Sequence, residues 1–319
     1  MAARPLLRIG TRGSPLALAQ AEEVRLRLAA AHPALAAPDA VEIVVIRTTG
    51  DMVRDRTLAA IGGKGLFTKE IEEALLSGAI DLAVHSLKDV TTWLPDGLEI
   101  GAVLPREDPR DAFFSARAPT LMALPAGAVV GTASLRRQAQ VLHRRPDLRV
   151  VPLRGNVETR LRKLADGAVD ATLLAVAGLK RLGLGDRMTC PCETELMLPA
   201  VAQGAIGIEI RAGDERVGAL IAPINDAASA TRVAAERAFL ATLDGSCKTP
   251  IAALAELTAD GRLHLRGMVI RPDGTELHET ERQGPLADAA AMGRDAGEEL
   301  RARAGPGFFD LSIPDGTPA

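Results

Sequence analysis

What most constrains this chain is an alternation of strand-like and helix-like segments through the first two-thirds of its 319 residues. Leu6 to Thr11 reads as a strand, and Ser14-Pro15 then offers an N-cap and a first-turn proline for a helix to about Ala31. Val41 to Thr48 is a near-continuous run of mostly β-branched apolar residues, the pattern of a strand buried on both faces. The turn Gly62-Gly63-Lys64-Gly65 leads into a helix over Thr68 to Ser77, which Gly78 stops. Ile80 to Val84 and Leu98 to Leu104 are further strands. After Pro105-Arg106-Glu107-Asp108-Pro109, a polar, proline-flanked stretch that reads as a domain crossing, the rhythm restarts. Strands are expected at Val129 to Gly131, Arg149 to Leu153, Ala171 to Val176 and Ala205 to Arg211, with helices near Ser134 to Arg145 and Val157 to Ala165. Alternation of this kind specifies an α/β class with doubly wound parallel sheets.

The texture changes after Asp226. One amphipathic helix covers roughly Ala228 to Leu243. Strands follow at Ile251 to Leu257, Leu263 to Arg271 and Thr275 to Gln283, joined by the hairpin signals Asp260-Gly261 and Asp273-Gly274. A helix from about Leu286 to Arg303 closes a small α+β unit with an antiparallel sheet.

Several function classes fall away. A formal net charge of −3 lacks the basic surplus of a general nucleic-acid binder, and six Phe, one Trp and no Tyr provide no stacking platform. Three cysteines, Cys190, Cys192 and Cys247, make no disulfide framework and suit a reducing compartment. The N-terminal residues carry no signal-like apolar run, and no stretch approaches a membrane span, so a cytoplasmic location is expected. Lys64 is followed by Gly65 rather than Ser or Thr, which breaks the P-loop pattern, and Gly183-Leu184-Gly185 lacks a third glycine. Cys190-Pro191-Cys192 has no second pair and the five histidines are scattered, so no metal site is expected. Arginine and alanine richness runs through the whole chain; only the placement of particular arginines carries meaning.

That placement recurs at strand-to-helix junctions. Arg12 and Ser14 follow the first strand; Thr132, Ser134, Arg136 and Arg137 follow Val129 to Gly131; Arg154, Gly155 and Asn156, with Arg160 one turn on, follow Arg149 to Leu153. In doubly wound sheets ligands bind beyond the carboxyl ends of the strands, where helix N-termini offer N–H groups and a positive dipole end. Arginine adds a planar fork that matches a carboxylate. A ligand with several negative charges fits that pattern, whereas Arg144, Arg145 and Arg162 read as surface ion pairs or caps. His85, Ser86, Lys88 and Asp89 crowd the exit of the Ile80 strand. Asp89 suits stabilising a developing cation or guiding a proton; the plainer reading is a turn cap paired with Lys88. Cys247, in the glycine-bearing turn before Ile251, is either an accessible thiol favoured by Lys248 or a small core residue. The rival readings are an anion receptor of the solute-binding kind, which would normally carry an export signal and need no cysteine turn, and a phosphoryl-transfer enzyme using Lys64, which the missing P-loop pattern disfavours.

Ordered segments along the chain resemble the porphobilinogen deaminase (hydroxymethylbilane synthase) family. They are Arg8-Ile-Gly-Thr-Arg-Gly-Ser-Pro-Leu-Ala-Leu-Ala-Gln20, Gly62-Gly-Lys-Gly-Leu-Phe67, His85-Ser-Leu-Lys-Asp-Val90, Arg106-Glu-Asp-Pro-Arg-Asp111, Gly131-Thr-Ala-Ser-Leu-Arg-Arg-Gln138, Leu153-Arg-Gly-Asn-Val157, Leu198-Pro-Ala-Val-Ala-Gln-Gly204 and the Cys247 turn. The resemblance implies two doubly wound, periplasmic-binding-protein-like domains, 1–104 with 205–224 and 105–204, and a C-terminal α+β domain, 225–319, with a three-stranded antiparallel sheet. It implies a transferase that joins four porphobilinogen molecules head to tail on a dipyrromethane cofactor, losing ammonia each time, before hydrolysis releases the linear tetrapyrrole. That cofactor would be a thioether on Cys247. By resemblance Ser86, Lys88, Thr132, Ser134, Arg136, Arg137, Arg160 and Arg181 bind the cofactor, Arg12, Ser14, Lys64, Arg154 and Gln203 bind substrate, and Asp89 is catalytic. A monomer working without nucleic acid or membrane is expected. The growing chain needs room, so the 51–60 loop is expected to be flexible. The sequence departs from the family at Ala60, where some members have lysine, at Thr91, where proline is usual, and at Ser246, where glycine precedes the cysteine.

Overall fold

The computed structural model describes residues 5–52, 68–243 and 249–308. Lys64 and Cys247 lie outside the described residues, as does nearly all of the 51–60 loop. The chain forms two compact units. The first runs to Pro109 and adds Ala175–Arg187 and Ala202–Ala234; the second takes Arg110–Leu174, Met188–Val201 and the chain from Ala235 onward.

Strands are numbered in chain order. β1 (Leu7–Thr11), β2 (Val41–Val45), β3 (Leu82–Ser86) and β4 (Leu98–Val103) belong to the first unit. β5 (Asp111–Ser115), β6 (Val129–Gly131), β7 (Arg149–Val151), β8 (Ala171–Ala175) and β9 (Cys190–Pro191) make the second unit's larger sheet. β10 (Ile206–Arg211) returns to the first, and β11 (Ile251–Leu257), β12 (Leu263–Ile270) and β13 (Leu277–Gly284) form a separate sheet. The class is the mixed α/β architecture that the sequence pattern specifies.

In the first unit the order is β2-β1-β3-β10-β4. Side chains alternate across the sheet with a period of two, so Leu82 and Val84 face one way and Ala83 the other. Leu82, Val84, Ile206 and Ile208 pack under Ala21, Val24 and Leu28 of the helix Pro15–Ala31. Ala83 and Ile80 meet Ile71 and Leu75 of the helix Lys69–Leu76. Each fully buried Leu or Ile contributes about 1.5–3 kcal/mol. Helices on both faces are what leave the strand ends as the place for polar side chains.

Two expectations need correction. The Val41 strand is not buried on both faces: β2 is an edge strand paired with β1, Glu42 is exposed, and Val45 is 52% exposed. Apolar β-branched composition cannot tell an edge from a centre. Nor is the sheet wholly parallel. β10 runs antiparallel to both β3 and β4. It arrives after the chain has passed through the second unit, so no crossover helix sets its direction.

The second unit's larger sheet has the order β7-β6-β8-β5-β9, with β6 parallel to β7 and β8, and β5 antiparallel to β9. Its core gathers Phe113, Val130, Val141, Leu173, Cys192 and Met197. β5 and β9 are not apparent in the sequence, because β9 has two residues and β5 opens on a charged one. The β11-β12-β13 sheet is antiparallel throughout, and Gly261 and Gly274 sit in its turns as the Asp-Gly signals require. Within this unit Gln138 and His143, on the helix Leu135–Arg144, bond to Pro272 O and Gly274 O of the second turn.

Candidate active site

In the first unit β1 and β3 are parallel neighbours, so their carboxyl ends lie side by side. Beyond β1 the chain turns through Arg12 and Gly13 to Ser14, whose hydroxyl accepts the N–H of Ala17 and caps the helix Pro15–Ala31. Beyond β3 it makes one 3₁₀ turn, Leu87–Asp89. A cavity of about 50 Å³ lies between them, and Arg12, Ser14, Gln20, His85, Ser86 and Asp89 contribute to its wall. Gln20 holds the Ser86 hydroxyl, with Nε2 at 2.8 Å and Oε1 at 3.1 Å.

The sequence-adjacent Lys88 and Asp89 do not pair. Lys88 Nζ donates to Gln203 Oε1 at 3.2 Å, and Gln203 Nε2 donates to Pro109 O at 2.7 Å. The Asp89 side chain is exposed and its carboxylate has no hydrogen-bond or ion-pair partner among the described residues. Buried Leu87 anchors the turn, so the carboxylate is held out by packing rather than by a bond to the acid itself. Arg181, by contrast, is committed to its own unit: Nε meets Glu23 at 3.2 Å and Nη2 donates to Gly204 O at 3.0 Å.

The second unit repeats the device. β6 and β7 are parallel neighbours, each followed by a capped helix. Thr132 Oγ1 accepts the N–H of Ser134, and Ser134 Oγ accepts that of Arg137 at the start of the helix Leu135–Arg144. Asn156 Oδ1 accepts the N–H of Thr159 and caps the helix Val157–Ala165. Gly155 reaches φ +125°, and a Cβ there would strike the Thr159 side chain, so the turn needs glycine. Arg160 Nε donates to Gly155 O at 2.8 Å. The Arg154 side chain is half-buried and makes no hydrogen bond or ion pair among the described residues. The readings of Arg144 and Arg145 hold: Arg144 bonds the Glu195 carbonyl, and Arg145 pairs with Asp147 while capping the carbonyls of Met122 and Leu124.

Arg136 and Arg137 are not at the surface. Both are buried against Asp111, the first residue of β5, which is fully buried. Arg137 Nη2 and Nε approach Asp111 Oδ1 at 2.7 and 3.2 Å, and Arg136 Nη1 approaches Oδ2 at 2.8 Å. Leu198 O and Leu173 O accept one further donor from each guanidinium. Burial raises the Asp111 carboxyl, but the two guanidinium charges and their hydrogen bonds outweigh it and hold the group far below the ordinary carboxylate range. The neighbouring Cys192 supplies no second anion, because burial and the Asp111 charge push its thiol up to about 12. Among the described residues two cations and one anion leave one positive charge over, and Arg136 Nε is buried without a hydrogen-bond partner. A group bearing carboxylates fits that excess and the uncommitted Arg154. The sequence assigns no role to Asp111 or to Gln20; Gln20 lies six residues beyond Ser14, nearly two turns into the helix.

Comparison with known proteins agrees with this chemistry. A family model described as porphobilinogen deaminase, dipyromethane cofactor binding domain, matches residues 7–219, and one described as porphobilinogen deaminase, C-terminal domain, matches residues 230–302. Porphobilinogen deaminase of Nitrobacter hamburgensis is 61% identical over 96% of this chain and 96% of its own length. That of Paracoccus denitrificans is 62% identical over 96% and 97%, and the chloroplastic protein of Oryza sativa is 58% identical over 96% and 86%. Among solved structures the methionine-binding protein MetQ matches at 15% identity with a TM-score of 0.42, covering 67% of this chain and 88% of its own, a likeness too weak to carry function. The chain belongs to the porphobilinogen deaminase family.

Proposed function

We propose that this chain is a hydroxymethylbilane synthase, joining four porphobilinogen molecules with loss of ammonia and releasing the linear tetrapyrrole by hydrolysis. The observation that carries the reading is the Asp89 carboxylate, without a partner among the described residues and held at the joint end of β1 and β3 beside Arg12 and Ser86. Family membership and near-complete coverage of relatives named porphobilinogen deaminase support it. A dipyrromethane bound through a thioether at Cys247 would supply the primer for chain growth.

Asp89 faces the substrate pyrrole. Losing ammonia leaves positive charge on that ring, and a fixed carboxylate about 4 Å away at an effective dielectric near 20 is worth about 4 kcal/mol. Since tenfold in rate is about 1.4 kcal/mol, that interaction is large enough to matter. Ser14, Arg12, Lys64, Arg154 and Gln203 hold the acetate and propionate groups of the substrate. Ser86, Lys88, Thr132, Ser134, Arg136, Arg137, Arg160 and Arg181 hold those of the cofactor. Arginine forks and helix N-termini are suited to a six-ring chain with about twelve ionised carboxylates. The three-domain division predicted from the sequence, a monomeric state and a cytoplasmic location complete the proposal; no helix among the described residues is long and apolar enough to cross a membrane.

Intact mass under denaturing conditions tests the reading. The purified protein carries a two-pyrrole adduct that disappears in Cys247→Ala. An unmodified chain that binds porphobilinogen without turnover would point to a receptor instead.

A further inference from the structure

On the sheet face opposite the helix Pro15–Ala31, three titratable side chains are buried together. β3 and β10 run antiparallel with Gly207 opposite His85 and Glu209 opposite Ala83, so His85 and Glu209 leave the same face as a diagonal pair with no side chain between them. His85 Nε2 lies 2.9 Å from Glu209 Oε2, and the two side chains are 4% and 0% exposed. The helix Lys69–Leu76 covers that face through Ile71 and Leu75 and sets Glu72, also buried, beside the pair. One oxygen of Glu72 and one of Glu209 are buried without a hydrogen-bond partner among the described residues.

Two ionised carboxylates around one imidazolium would leave a net negative charge and unmet acceptors in the interior, which is costly. A proton on Glu72 relieves both, since its carboxyl is pushed upward by burial and by the nearby Glu209 charge, and the His85–Glu209 pair is left to take up or release a second one. Among the described residues, the charged groups near this cluster are Glu70 behind Glu72 on the helix, and Arg12 and Asp89 on the wall of the cavity that His85 also lines. Arg211, further along β10, is turned instead to Leu75 O, Ile80 O and Asp214. His85 also helps line the 50 Å³ cavity that it shares with Asp89 and Ser86, a space roomy enough for a water or more.

We infer that Glu72, His85 and Glu209 form a buried proton store serving Asp89, with His85 as the positioning residue that exchanges protons across the shared cavity. The inference rests on the proposed reaction. Each new carbon–carbon bond displaces one proton from a pyrrole carbon, while the C–H electron pair stays with the ring and restores aromaticity. The proton passes to the Asp89 carboxylate, then to the His85–Glu209 pair, and reaches solvent before the next addition. The substrate ammonium departs as ammonia with the C–N electron pair, so it takes up no proton at this step.

The test follows the His85 ring by NMR in the loaded enzyme between about pH 5 and 9, in the parent and in Glu209→Gln, with kcat and KM for porphobilinogen measured over the same range. The parent ring titrates across the interval in which kcat changes. In Glu209→Gln it gives up its proton at a lower pH, the kcat profile moves the same way, and KM stays put. His85→Gln lowers kcat by at least about tenfold and removes that limb of the profile. A parent ring whose charge is constant across the interval, or a Glu209→Gln profile that superimposes on the parent's, overturns the inference, and both readings survive if His85→Gln fails to fold. A parent chain with neither adduct nor turnover overturns the proposed reaction; a loaded, active parent with a silent His85 overturns only the proton store.

Discussion

Asp89 and Asp111 enter the sequence in the same way, each directly after a basic residue: Lys88-Asp89 and Arg110-Asp111. Each basic neighbour reaches a partner elsewhere. Lys88 reaches Gln203, and Arg110 reaches Glu193. From there the two acids diverge. Asp111 is fully buried and gripped by two guanidinium groups from a helix more than twenty residues away; Asp89 is exposed and has no partner among the described residues. A carboxylate whose lone pairs are taken by arginines can hold structure together but has nothing left for a substrate. One held out by the packing of Leu87 has everything left.

The largest effect separates them by stability. Removing one partner from a buried ion cluster leaves uncompensated charge and costs about 3–5 kcal/mol. Asp111→Ala is therefore expected to unfold at markedly lower denaturant, while Asp89→Ala stays within about 0.5 kcal/mol of the parent, as exposed substitutions do. Equal midpoints for the two variants would erase the distinction. The same contrast has a pH form. Because the folded carboxyl of Asp111 is depressed, its contribution is fully present above the unfolded value near 3.9 and is lost only as pH falls through the folded one. The midpoint gap between the parent and Asp111→Asn should hold steady from pH 7 to about 4 and narrow below that.

Turnover gives the converse. Asp89→Ala is expected to lose roughly 10²–10³ in kcat, the cost of removing one preorganised electrostatic partner, with its fold intact. Asp89→Glu retains part of the rate. Wild-type kcat in Asp89→Ala would take the carboxylate out of the chemistry.

Local signals in the sequence carried most of the fold. Ser14-Pro15 marks the helix that runs Pro15–Ala31, Asn156 caps Val157–Ala165, and the two Asp-Gly pairs sit at the turns of the antiparallel sheet. These are choices made within a few residues, where side chain and backbone meet directly. What stayed hidden depends on partners far along the chain. Asp111 opens an unrecognised strand because a buried acid makes sense only once Arg136 and Arg137 are beside it. Glu209 has no evident role in the sequence, because only antiparallel pairing brings His85 alongside it. Val41–Val45 looks central and is an edge, since apolar residues do not record how many neighbours a strand has. At the candidate site, the strand-exit pattern singles out Arg12, Ser14, Ser86 and Asp89, and the four line one cavity. It could not distinguish Arg154, left uncommitted, from Arg181, tied to Glu23 and Gly204.

The smallest effect compares the two caps of the second unit. Ser134 and Asn156 each satisfy one helix N–H beyond a parallel strand, at 3.4 and 2.9 Å. Loss of such a cap typically costs about 1 kcal/mol. Asn156→Ala should therefore lower the stability by about that amount, and Ser134→Ala by less, because its longer bond gives up less. If Ser134 also holds a cofactor carboxylate, its variant acquires a second signature that Asn156→Ala lacks: a smaller fraction of purified chains carrying the two-pyrrole mass. Equal loading in both variants would leave Ser134 as a cap and nothing more.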